Sequence, residues 1–469
     1  MDKPIGFILL AALTVTALSG CFATPGAMPT VFSSTPVQPA ATATPEAAYQ
    51  PRFEPQTCWF QVPEAASVTC GFVSVLEDRA QPVSPDNTIR LAVAIFHSTS
   101  ETPAPDPIVY QVGGPGGHML NIVPHICGKV ITPYLERRDL IWFDPRGTGF
   151  SQPALECLAG EEPGDCLRRL AKEGHNLHTY SSASMAEDMQ DLRHALGYDQ
   201  WNLLGESYGT HVAQVTLRVA PDGLRSVILD SVMPVIIPPL PGGVSSGELS
   251  FHRLAQSCEM DVACKAAYPN LDDALRQAIQ RLDAEPVTLK VDVNGEEQSV
   301  LLTGERLSDM VFHSLYETDM IPWLPNAIPA AADGSDYSFW HHVVRWEETI
   351  DAILTAGVHW SVQCSDGRLG DMCDDWPIVV EHERVTSDIP VLVISGEFDP
   401  VTPPEYGHSV AQGLSHSYAY DFPGLGHWIN GTGHPCQIAI VQDFLNDPAR
   451  APDTSCLAEM SEPEFVVEP

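Results

Sequence analysis

Gly205-Glu206-Ser207-Tyr208-Gly209 is the segment whose residue types and spacing point most directly to chemistry. It follows the β-rich run Trp201-Leu204 and precedes an amphipathic run, His211-Val219, so it reads as a tight strand-to-helix turn carrying an exposed nucleophilic hydroxyl. The glycines fit that turn because side chains there would collide with neighbouring backbone. A serine hydroxyl needs a base, and the base needs an acid to orient it. Downstream, Asp399 lies on a turn, Ser395-Gly396-Glu397-Phe398-Asp399-Pro400, just past the apolar run Pro390-Ile394. Glu397 is the nearby rival for the acid. His427 follows in the glycine-bracketed loop Pro423-Gly424-Leu425-Gly426-His427-Trp428 and fits the base. Ser207, Asp399 and His427, in that chain order, would carry acyl transfer to water through a covalent acyl-serine.

The tetrahedral intermediate of that reaction needs N–H donors for its oxyanion. Gly113-Gly114-Pro115-Gly116-Gly117 follows the run Ile108-Val112, and Pro115 has no N–H, so Gly114 and Tyr208 are the candidate donors. A phosphate-binding loop is the competing reading of these glycines, and it fails because no Gly-Lys-Ser/Thr follows. His341 and His342 are neighbours in a helical run and face different directions, and His434 lies beyond the loop of His427. There is no His-Glu-x-x-His and no cofactor fingerprint, so neither a metal nor a cofactor is expected.

Positioning such groups requires a sheet. Eight β-rich runs, Gly71-Leu76, Ile89-Phe96, Ile108-Val112, Leu140-Phe143, Trp201-Leu204, Ser226-Leu229, Pro390-Ile394 and Ser417-Asp421, alternate with helical runs such as Ser184-Leu196 and Gln437-Leu445. This rhythm predicts a mostly parallel eight-stranded sheet flanked by helices. It breaks over 235–387, where helices near Gly247-Gln256, Leu271-Leu282, Gly304-Tyr316 and Ser338-Leu354 and a hairpin around Asn294-Gly295 predict a mainly helical cap. The core is therefore expected in two parts, 53–234 and 388–469.

Lys3, the apolar run Ile5-Leu18 and Leu18-Ser19-Gly20-Cys21 have the order of a secretory signal over 1–21, and the small pair before cysteine resembles the bacterial lipobox. That resemblance implies a diacylglyceryl group on Cys21 and an extracytoplasmic location, anchored to the bacterial cell membrane. Residues 22–52, rich in Pro, Ala, Thr and Ser, read as a tether reaching roughly 90 Å at ~3.1 Å per residue. Twenty-four basic and 61 acidic residues give a net charge of -37, which disfavours nucleic acid as a partner. Apart from Cys21 the cysteines fall into sequence-local couples, Cys58 with Cys70, Cys157 with Cys166, Cys258 with Cys264, Cys364 with Cys373 and Cys436 with Cys456, with Cys127 left over. Local pairing is the simplest of many connectivities, and short loops of this kind each contribute about 2 to 3 kcal/mol.

Together, the glycine loop at 113–117, Asp144-Pro145-Arg146-Gly147-Thr148-Gly149-Phe150-Ser151, the turn at 205–209 and the Asp399 and His427 loops resemble the prolyl and tripeptidyl aminopeptidase family of α/β-hydrolases. The Asp399-Pro400-Val401-Thr402-Pro403 turn and the Cys436 and Cys456 couple look most like the secreted tripeptidyl members. The resemblance implies an α/β-hydrolase fold with a helical cap and removal of N-terminal residues or tripeptides from small peptides. Arg146 is expected to be scaffold, in a buried ion pair. Capture of a substrate ammonium needs carboxylates, for which the cap offers Glu317, Asp319, Glu347 and Glu348. The alternatives are an exported carboxylesterase or lipase of the same fold and a catalytically inactive surface binding module.

Overall fold

The computed structural model describes residues 49–467 apart from 65, 294, 368–372, 374–375, 377–382 and 462. The expected signal segment with Cys21, tether residues 22–48 and Asn294 of the expected hairpin turn lie outside the described residues. The strands are β1 (Arg52–Gln56), β2 (Val68–Leu76), β3 (Thr88–Phe96), β4 (Ile108–Gln111), β5 (Leu140–Phe143), β6 (Trp201–Glu206), β7 (Leu224–Asp230), β8 (Val287–Val293), β9 (Glu296–Leu302), β10 (Val391–Gly396) and β11 (Ser417–Phe422). All but β8 and β9 form one sheet in the order β1-β2-β3-β5-β4-β6-β7-β10-β11. From β5 to β11 every pairing is parallel, and β1, β2 and β3 add an antiparallel edge.

Among the described residues the sheet has nine strands where the sequence pattern gave eight. The additional strand, β1, runs from the last residue of the expected tether into the expected core, where Pro55 and the charges of Arg52 and Glu54 do not read as sheet. An edge strand tolerates both, since one side of it has no partner to bond. Tyr49 also donates to Asp191 (3.0 Å), so the chain is fastened before Phe53.

Alternation along the strands builds the two apolar layers. Leu91, Val93 and Ile95 of β3 pack on one face with Ala186, Met189 and Leu192 of the helix Ser182–Leu196. Ala92, Ala94 and Phe96 pack on the other with Ile440, Val441 and Phe444 of the helix Pro435–Asn446. The insert between β7 and β10 is mainly helical, carries the β8–β9 hairpin and has an apolar cluster of its own. Its helix Leu324–Asp333 was not predicted, because Pro325 and Pro329 read as breaks. Pro325 sits in the first turn, where no N–H is needed. Burial of Leu324, Ala327, Ile328 and Ala331 offsets the bond lost at Pro329. The helix Ser338–Asp351 stops short of the expected Leu354, which bridges to Gly117 instead. The five local cysteine couples are disulfides, and Cys127 is a buried free thiol.

Candidate active site

β6 ends at Glu206 and the helix Tyr208–Val219 begins two residues later, so Ser207 alone makes the turn, with φ of 54°. An L residue adopts this conformation at a cost that the surroundings must sustain. Here they do: Ser207 N–H donates to the Asp230 carbonyl (2.9 Å), and the Ser207 carbonyl accepts from Thr210 Oγ1 (2.6 Å). A Cβ at Gly209 would lie 2.1 Å from the Gln111 carbonyl oxygen, and one at Gly205 would lie 2.5 Å from that of Gly209. The helix N-terminus following Ser207 adds a favourable field for developing negative charge.

The expected acid and base lie on loops after β10 and β11. Asp399, fully buried, accepts from Val401 N–H (2.8 Å), Thr402 N–H (2.8 Å) and Thr402 Oγ1 (2.6 Å), and its Oδ2 lies 2.8 Å from His427 Nδ1. Burial pushes the Asp399 carboxyl up, but the His427 charge and these hydrogen bonds outweigh it and hold the group below its ordinary range. Burial pushes His427 down, and Asp399, then Glu206 and Asp230, push it further up, to a net position above 6.5. The rival acid, Glu397, faces elsewhere and accepts from Gly424 N–H (3.0 Å). His427 Nε2 has no hydrogen-bond partner among the described residues, and Glu206 Oε1 lies 3.7 Å from it. A serine–histidine bond that is open without substrate commonly tightens in the complex.

The glycine loop abuts the serine: a Cβ on Gly113 would lie 2.6 Å from Ser207 Cβ and 3.0 Å from Tyr208 N. Gly113 N–H is taken by Glu206 Oε2 (2.9 Å), which leaves Gly114 as the neighbouring donor. Asp230, at the end of β7, was missed by sequence reasoning. Its carboxylate accepts from Ile429 N–H (3.0 Å) and Asn430 N–H (2.7 Å) and so fixes the chain just past His427. Burial above all, with Glu206 adding, raises it to about 7. The signal was an acid directly after the apolar strand Ser226-Leu229.

Two segments of the insert grip the catalytic loops. The Tyr316 carbonyl accepts from His427 N–H (2.9 Å), Thr318 Oγ1 accepts from Gly426 N–H (3.0 Å), and the Tyr316 and His427 rings lie 4.3 Å apart. On the other side, the Ile353 carbonyl accepts from His118 N–H (3.0 Å), Thr355 N–H donates to the Gly116 carbonyl (2.9 Å), and His359 Nδ1 donates to the Pro115 carbonyl (2.9 Å). Glu317, between Tyr316 and Thr318, lines a cavity of about 560 Å³ with Asp319, Asp336, Trp323, Phe339 and Trp346. None of Ser207, Asp399 and His427 lines it. Trp346 Nε1 donates to Glu317 (3.1 Å), and burial holds the Glu317 carboxyl above its ordinary range. Of the other expected cap acids, Glu347 is engaged by Arg306 and by His313 (2.6 Å), and Glu348 is exposed.

The remaining predicted residues are structural. Arg146 is fully buried and forks onto Asp188 at 2.7 and 2.6 Å. His434 caps the helix Pro435–Asn446 through Cys436 N–H (3.2 Å). Among the described residues, the one cluster of metal-ligand type is Cys157, Glu161 and Cys166, whose cysteines are joined as a disulfide.

A family described as alpha/beta hydrolase fold matches residues 106–245, and one described as TAP-like protein matches residues 359–456. A tripeptidyl aminopeptidase of Streptomyces lividans is 32% identical over 193 residues, 35% of this chain, and the chain spans 35% of that relative's length. The serine protease Hip1 of Mycobacterium tuberculosis is 25% identical over 467 residues, covering 82% of this chain and 86% of its own. A carboxylesterase B of Mycobacterium tuberculosis is 29% identical over 492 residues, covering 88% and 92%.

Proposed function

We propose that this chain, which has the α/β-hydrolase fold, is an exported serine aminopeptidase releasing N-terminal residues or tripeptides from short peptides. In this reading Ser207 Oγ attacks the scissile carbonyl while His427 Nε2 takes its proton. Asp399 orients the ring and stabilises the imidazolium, and the N–H groups of Gly114 and Tyr208 hold the oxyanion. His427 returns the proton to the leaving amine, and water repeats the sequence on the acyl-enzyme.

The observation that carries the peptidase reading is the acid-lined cavity. Its Glu317 sits between the two residues that grip the His427 loop, so one segment both walls the cavity and supports the loop of the base. The relatives named tripeptidyl aminopeptidase and serine protease support the same reading. A panel of free and N-blocked aminoacyl- and tripeptidyl-arylamides tests it. Cleavage that disappears on blocking the amine is expected, and equal cleavage of blocked substrates would overturn it. The relative named carboxylesterase B favours a second reading, an esterase of the same fold. Ester turnover with no amide cleavage would select it.

Export and anchoring rest on the Leu18-Ser19-Gly20-Cys21 sequence and on five disulfides, which suit an oxidising compartment. Metabolic labelling with a radioactive fatty acid should mark the wild type and not Cys21→Ala. Labelling of both would contradict the anchor.

A further inference from the structure

The last residue of β6, Glu206, has no role in the chemistry derived so far, yet its side chain reaches both the glycine loop and the His427 loop. Its two oxygens are divided between them: Oε2 accepts from Gly113 N–H at 2.9 Å and Oε1 lies 3.7 Å from His427 Nε2. Glu206 is 6% exposed. The ionisable groups around it are His427 on the loop after β11, Asp399 on the loop after β10, Asp230 at the end of β7, Tyr110 on β4 and Tyr316 on the insert. His427 is the one of these that can carry a positive charge. In so buried a place the charge on Glu206 is therefore balanced by an imidazolium at His427 or removed by a proton of its own.

We propose that Glu206 is a positioning residue that ties the glycine loop to the base and sets the lower pH limit of turnover. The proposal rests on the reading of Ser207 as nucleophile and His427 as base. Through Oε2, Glu206 occupies Gly113 N–H and fixes the backbone from which Gly114 faces the oxyanion. Through Oε1 it faces the same ring nitrogen that must be unprotonated to accept the serine proton. Negative charge there favours imidazolium, so the free base becomes available at higher pH than Asp399 alone would dictate. The same charge supports the imidazolium that forms as Ser207 attacks.

The discriminating variant is Glu206→Gln, whose amide oxygen still accepts from Gly113 N–H but carries no charge. The measurement is the pH profile of kcat/KM, read beside fluorophosphonate labelling of Ser207 in both proteins. In E206Q the acid limb should move to lower pH by about one unit, a roughly tenfold gain in relative rate on that limb. Glu206→Asp, which keeps the charge and shortens the reach, should leave the limb near its wild-type position while kcat falls. A labelled, folded E206Q whose limb is unmoved or moved upward overturns the proposal and leaves the nucleophile assignment standing. Absence of Ser207-dependent turnover in the wild type would instead remove the reading beneath it. Should E206Q not fold, the wild-type limb still decides: at or below 6.5, the ordinary histidine value, it overturns the proposal.

Discussion

The His427 loop and the glycine loop are both gripped by the insert, but in different ways. The His427 loop is held from 316–318, by one ring contact and two acceptors, the Tyr316 carbonyl and Thr318 Oγ1, and the segment holding it also walls the acidic cavity. The glycine loop is held from 353–359, largely by backbone bonding, beside helix Ala356–Ser365. A Cβ at Gly116 would lie 2.7 Å from the Thr355 carbonyl oxygen, so this second grip tolerates little change. The core carries the residues proposed to react, and the insert holds the loops that bear two of the parts. The first segment also lines the cavity, and the second does not.

The widest separation between chemistry and support comes from the core itself. Ser207→Ala should lower kcat on the order of a million-fold with Tm unchanged, because it removes the nucleophile and no packing. Retention of a tenth of the activity would break the assignment. Asp399→Asn should cost about ten-thousandfold. It should also lower the acid limb of kcat/KM, because Asp399 is the foremost group raising His427 above 6.5. The sign follows directly: turnover needs the neutral ring, so activity is lost as pH falls through the raised value, and removing the raising charge extends activity to lower pH.

Changes in the insert should divide according to the two grips. Glu317→Gln should raise KM for substrates with a free amine by about ten- to a hundredfold, the worth of one charged hydrogen bond, and leave N-blocked aryl esters unaffected. Equal losses on both would make Glu317 a structural group. His359→Phe removes the donor to the Pro115 carbonyl and should lower kcat roughly tenfold on every substrate, with a loss of about 1 kcal/mol in stability. A substrate-dependent effect of H359F would erase the distinction between the grips.

The contrast also explains what could be read from the sequence. Ser207, Asp399 and His427 sit on short turns next to strong strand patterns, and local chain chemistry makes such turns conspicuous. The structure joins Asp399 to His427 and sets the glycine loop against Ser207. All eight expected strands are present because strands buried on both faces read as short continuous apolar, β-rich runs. β1 escaped because an edge strand needs little apolar character. Asp230 and Glu206 were visible as residues but not as partners, since their roles depend on loops about 200 and 93 positions away in the chain. The helix Leu324–Asp333 was hidden by its prolines, and the cavity it helps to line is a product of tertiary packing. Of the four expected cap acids, Glu317 and Asp319 reach the cavity, and composition alone could not separate them from Glu347.

The central claim is that one activated serine performs the chemistry, and intact-mass analysis after fluorophosphonate treatment tests it most directly. One adduct per chain is expected, located on Ser207 by peptide mapping, absent in Ser207→Ala and formed far more slowly in His427→Ala. An unmodified wild type, or an adduct on any other residue, would contradict the account.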